Sequence, residues 1–109
     1  MEKFCDENRL LFIPSVTVGM SYRYVAWRDP TGPRIDRNPS SFGERLSFEI
    51  RYIDPEYRIL FISEFNNFFE ESNLELDTRY GFSLLEKLKT LTILRSLLSG
   101  QLNAFNAGL

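Results

Sequence analysis

Five carboxylates crowd into one short stretch. Glu64, Glu70, Glu71, Glu75 and Asp77 fall between residues 64 and 78, with no Lys or Arg among them. Two kinds of chemistry are open to such a run. Carboxylate oxygens suit Mg²⁺ or Ca²⁺, but this spacing matches no calcium-binding loop, so no metal site is assigned. A negative face also draws in a basic partner and speeds its association through long-range attraction. The bland alternative is a solvated acidic face that offsets the basic segment after it.

The cations are biased in type, with ten Arg against three Lys. Arginine forms forked pairs with carboxylates, stacks on aromatic rings and is favoured at interfaces. Arg28, Arg34 and Arg37 lie in or beside the segment 29–43, next to Trp27. Trp27, Arg34 and Arg37 are therefore candidate partner-binding residues, in an anchor-plus-loop arrangement. The competing reading is a mobile loop whose charges pair locally or with water. Tyr22-Arg23-Tyr24 and Trp27-Arg28 interleave aromatic and basic residues, as nucleic-acid stacking platforms do. Arg79-Tyr80-Gly81-Phe82 resembles the opening of an RNA-recognition-motif signature, but Tyr80 stands where that signature has Gly. The net charge of −2, the pI near 5.2 and the shortage of Lys weigh against nucleic acid, whose affinity comes mostly from neutralising phosphates.

The rest of the inventory excludes more than it offers. There is no His and a single Cys, Cys5. Zinc sites need three or four protein ligands, and Ser-His or Cys-His nucleophile pairs need an imidazole. No phosphate-cradling glycine loop is present, and no cofactor is implied. A non-enzyme is expected; a carboxylate-based hydrolase is the residual alternative. With one Cys there is no internal disulfide, which suits a reducing, cytoplasmic compartment. The acidic N-terminus does not read as a signal peptide, and no stretch is long and apolar enough to span a membrane.

These residues need elements to hold them. The 109 residues are 43% hydrophobic and 15% aromatic, enough for one folded domain over 1–109. Val16, Val18, Met20, Tyr22, Tyr24 and Ala26 alternate with a second set, which predicts a strand with those six facing the core. Residues 29–43 hold three Pro and two Gly and predict a long loop. Leu46, Phe48, Ile50 and Tyr52 alternate again. With the turn at Asp54-Pro55-Glu56, they predict a hairpin pairing 44–53 with 57–63. Phe65, Phe68 and Phe69 have helical spacing and predict a short helix near 63–71, followed by a short strand near 74–80.

The C-terminal helix is the best signed. Ser83 and Glu86 form a capping-box pattern. Leu84, Leu88, Leu91 and Leu98 make one face, widened by Leu85 and Leu94, and Gly100 sits where a helix commonly ends. Arg95 interrupts that face. Ile93 and Leu97 lie on the other side, so a second copy or a partner would find an apolar strip there. The expected fold is α+β: an antiparallel sheet of four or five strands packed against a helix at about 83–99, with a small open barrel as the alternative. The expected function is a non-catalytic protein-binding module, most concretely a small soluble inhibitor or immunity-type protein occluding a basic partner through its acidic face. The alternative is a homo-oligomeric structural protein with Ile93 and Leu97 in the interface.

Overall fold

The computed structural model describes the backbone of residues 1–106 and the side chains of residues 1–95. The chain is α+β, but helices dominate it. Helix α1 (Glu2–Glu7) is followed by β1 (Ser15–Val16), α2 (Pro39–Ile50), β2 (Phe61–Ile62), β3 (Asn66–Asn67), β4 (Ser72–Asn73) and α3 (Ser83–Asn106). The expected sheet of four or five antiparallel strands is absent. In its place are two two-stranded ladders, of which β1–β2 is parallel and β3–β4 antiparallel.

The largest correction concerns residues 44–53, which are not a hairpin arm. They belong to α2, whose start lies inside the segment read as loop 29–43. Asn38 caps it: the side-chain oxygen accepts from the Ser41 amide at 2.9 Å. Pro39 then takes the first helical position, where its missing N–H costs nothing. From there Phe42, Gly43, Leu46 and Ile50 form one buried face. Leu46 and Ile50 are four apart, a separation that fits a helix face and a strand face equally. Phe48, which the strand reading buries beside them, is exposed. Asn38→Ala is expected to cost about 1 kcal/mol, the usual worth of such a cap, read from the midpoint of urea unfolding.

Once 44–53 is helical, the segment 16–26 has no long partner. Its strand stops at Val16, with one further bridge between Met20 and Ile35. Beyond that the chain turns, with the Val25 amide donating to Tyr22 and the Arg28 amide to Val25. The predicted inward set therefore fails after Val18. Tyr24 is exposed and Val25, from the other set, is buried. The Asp54 turn is where it was expected, with Asp54 Oδ1 accepting from the amides of Glu56 and Tyr57 at 2.9 and 3.0 Å. The strand after it, β2, pairs in parallel with β1 across the α2 crossover, Ser15 opposite Phe61 and Val16 opposite Ile62.

The helix expected near 63–71 is the β3–β4 hairpin, and the strand near 74–80 is a turn segment with one bridge between Asp77 and Gly81. Glu64 and Glu71 both have positive φ, +101° and +50°. Two left-handed residues so close together are incompatible with a right-handed helix.

The core joins Val16, Val18, Phe42, Leu46, Ile50, Leu74 and Leu84. Helix α3 packs on α2, and Leu85, Leu88 and Leu91 continue its inner face against that cluster. Leu94, expected to widen the stripe, is half exposed. The Glu86 amide donates to Phe82, so Phe82 rather than Ser83 occupies the cap position, and Gly100 lies within the helix instead of ending it. Arg95 has a structural role: its Nε donates to the Ile50 carbonyl at 3.4 Å. A cation at the last carbonyl of α2 is well placed against the negative end of that helix. Arg45 ties α2 to the strand region in the same way, donating to the carbonyls of Thr17, Val18 and Asp36 at 3.2, 2.6 and 2.8 Å. No described helix is long and apolar enough to cross a membrane.

Candidate functional site

The segment that carries the carboxylates is built around a buried arginine. Arg37 is only 7% exposed. Its Nη1 donates to the Asn73 carbonyl at 3.0 Å, its Nη2 pairs with the Asp77 carboxylate, and its guanidinium lies 4.7 Å from the Tyr80 ring centroid. Asp77 accepts further from Asn73 Nδ2 at 3.1 Å and from the amides of Arg79 and Tyr80 at 3.1 and 2.9 Å. Burial pushes the Asp77 carboxyl up. The hydrogen bonds from Tyr80, Asn73 and Arg37, together with the Arg37 charge, outweigh this and hold it below its ordinary value. Gly19 closes over the pair, because a Cβ there would come within 2.7 Å of Arg37 Cβ and 3.1 Å of the Glu71 carbonyl.

Around this node the predicted acidic residues divide into two kinds. Glu71 and Asp77 are internally engaged. Glu71 sits between Arg23 at 3.5 Å and Arg79 at 3.7 Å. Glu64 and Glu70 face no cation among the described residues and share the Asn67 side chain, whose Nδ2 donates to them at 3.0 and 3.2 Å. The carboxylate of Glu75 has no ion pair among the described residues, and its backbone carbonyl accepts from Asn73 Nδ2 at 3.2 Å. Among the described residues no group of three or more His, Cys, Asp or Glu side chains could hold a metal ion.

The remaining sequence-predicted residues are scattered. Trp27 projects into solvent, 83% exposed, at the end of the turns after Tyr22. Arg34 pairs loosely with Asp36 at 3.9 Å. Arg37 belongs to the buried node, so it supports the surface instead of forming it. Ile93 is half exposed on α3; the side chain of Leu97 lies outside the described residues. The long segment before α2 carries local hydrogen bonds. Thr31 donates to Asp29 Oδ1 through both its hydroxyl, at 2.7 Å, and its amide, at 2.9 Å, and those bonds lower the Asp29 carboxyl.

Sequence reasoning missed three exposed aromatics. Phe65, Phe68 and Phe69 were expected on a short helix. The hairpin instead places Phe68 and Phe69 in its four-residue tip and Phe65 just before β3, all three at least half exposed and Phe69 73% exposed. The available signal was their company, because they alternate with the same Glu64, Glu70 and Asn pairs that form the acidic edge. Asn73 was also missed, since nothing in its neighbourhood marks it as buried.

A groove of about 430 Å³ runs between α3 and the segment 53–62, with Leu60, Ile62 and Leu88 in its lining and Arg58 and Arg95 among its polar groups. No known family model, curated protein or solved structure matches this chain.

Proposed function

We propose that this chain is a non-catalytic protein-binding module, most concretely a small inhibitor or immunity-type protein that occludes a basic partner in the cytoplasm. The observation that carries this reading is the β3–β4 hairpin, which holds Phe68 and Phe69 in solvent beside the Glu64 and Glu70 carboxylates. A rigid aromatic anchor in a partner's pocket, with charges at its rim, is the usual anatomy of an interface whose energy sits in a few residues. The buried Arg37–Asp77 pair supports the base of the hairpin, so the anchor is presented without much ordering on binding. The reading involves no catalytic step and no cofactor.

Charge reversal separates the roles. Glu64→Lys, Glu70→Lys and Glu75→Lys together are expected to slow association with the partner and flatten its dependence on salt, since rim charges act mainly on the on-rate. Association kinetics unaltered by the three changes would remove the acidic edge from the account. Glu71 and Asp77 are left out of the set because they face arginines of their own chain.

A second reading rests on the half-exposed Ile93 of α3. A homo-oligomer packing through this side of the helix would be a dimer whose mass is insensitive to salt. Light scattering at low and high salt that gives a monomer at both would dismiss it.

A further inference from the structure

We propose that the crevice where Arg23, Arg34 and Arg79 converge binds a small phosphate-class oxyanion. Four separate chain segments meet there, bringing together Ser21, Arg23, Arg34, Arg37, Glu71 and Arg79. Four arginines against Asp36, Glu71 and the nearby Asp77 leave this corner positive in a chain whose net charge is −2.

The arginines are not equivalent. Arg37 is committed to Asn73 and Asp77. The other three make only long ion pairs, at 3.5 Å for Arg23–Glu71, 3.7 Å for Arg79–Glu71 and 3.9 Å for Arg34–Asp36, and Arg23 and Arg79 also lie over the Tyr24 and Tyr80 rings at 5.6 and 5.2 Å. A charge-assisted N–H···O bond closes to about 2.7–2.9 Å. Among the described residues none of these three guanidiniums donates a hydrogen bond to the protein, and all three side chains are about half exposed, so N–H donors remain for a ligand. Forked guanidiniums match the tetrahedral oxygens of phosphate better than any single ammonium would.

Glu71 already plays the anion's part, lodged between Arg23 and Arg79 by a left-handed backbone at φ +50°. The interior of the crevice is only about 20 Å³, room for about one water. The oxyanion therefore seats at the mouth, where the side chains of Arg23, Arg34 and Arg79 are 43%, 58% and 55% exposed. It displaces the Glu71 carboxylate from between its two partners.

The test is a titration of inorganic phosphate into the full chain, followed by NMR at the arginine side-chain Nε–H groups, with chloride at matched ionic strength as the control. Saturable shifts are expected with a midpoint below about 10 mM. Arg34→Ala and Arg79→Ala should each weaken binding about tenfold, the worth of a charged hydrogen bond. The ion pair of Arg34 is with the exposed Asp36 and both side chains are about half exposed, so its variant is expected to keep the fold. Glu71→Gln should strengthen binding, because the internal competitor loses its charge; a merely structural Glu71 would not produce that gain. The proposal is overturned by any of three results: no saturable shift up to about 50 mM, the same shifts with chloride, or unchanged affinity in both arginine variants.

Discussion

Arg37→Ala is expected to destabilise the protein by about 3–5 kcal/mol, the usual cost of removing one member of a buried ion pair. The change deletes the donor to the Asn73 carbonyl and the partner of Asp77, and it removes the cation from the Tyr80 face. Asp77 keeps its bonds from Asn73 and from the amides of Arg79 and Tyr80, so the loss should fall toward the lower end of that range. Small domains have about 5–15 kcal/mol in hand, and the variant should show a clearly lowered urea midpoint.

The same pair makes a pH signature. The Asp77 carboxyl is depressed in the folded chain from an ordinary value of 3.8. Its contribution to stability is therefore complete well above that value and is lost as the pH falls through the lower folded value. In Arg37→Ala the Arg37 part of the depression is gone, and the decline below about pH 4 should be shallower than in the parent chain. Urea midpoints at a series of acid pH values read both effects. A parent and variant that decline in parallel would show that Arg37 does not hold this carboxylate.

Phe42→Ala is expected to cost about 3–5 kcal/mol, the range for truncating a fully buried aromatic. Phe42 is 0% exposed and sits on the inner face of α2 with Leu46 and Ile50. It also separates two accounts of the chain. Were 29–43 a solvated loop throughout, the same substitution would cost within about 0.5 kcal/mol. A large loss in the urea midpoint supports the helix that begins at Pro39, and a negligible one contradicts it.

These substitutions also show which features were legible in the sequence. The inner face of α3 was, because Leu84, Leu88 and Leu91 repeat at a helical period over two turns with no competing pattern. The Asp54 turn was legible because its hydrogen bonds are local. Helix α2 was not: Leu46 and Ile50 satisfy both periods, and Phe48 and Tyr52 tipped the pattern toward a strand. The decisive signal was Asn38-Pro39, a cap followed by a first-turn proline, hidden in a stretch whose Pro and Gly content reads as loop. The two-residue ladders are too short to leave any alternation, and the parallel pairing of β1 with β2 depends on a crossover that no local pattern announces.

The candidate surface was legible in its charges and not in its shape. Glu64, Glu70 and Glu75 could be named from composition alone. That Asp77 turns inward to Arg37 could not, because the two are 40 residues apart and neither is flanked by an apolar run that would mark it as buried. The three Phe residues were visible as a group, but their exposure follows from the left-handed Glu64 and Glu71 that replace a helix with a hairpin.

The contact role of the hairpin tip can be tested by placing a photo-crosslinking phenylalanine at position 69 in cells that make the protein naturally. The account predicts one heterologous adduct to a basic protein, diminished by Glu64→Lys with Glu70→Lys, and absent when the same group replaces the exposed Phe4 of α1. No adduct, an adduct formed equally from position 4, or an adduct of twice the chain's own mass would contradict it.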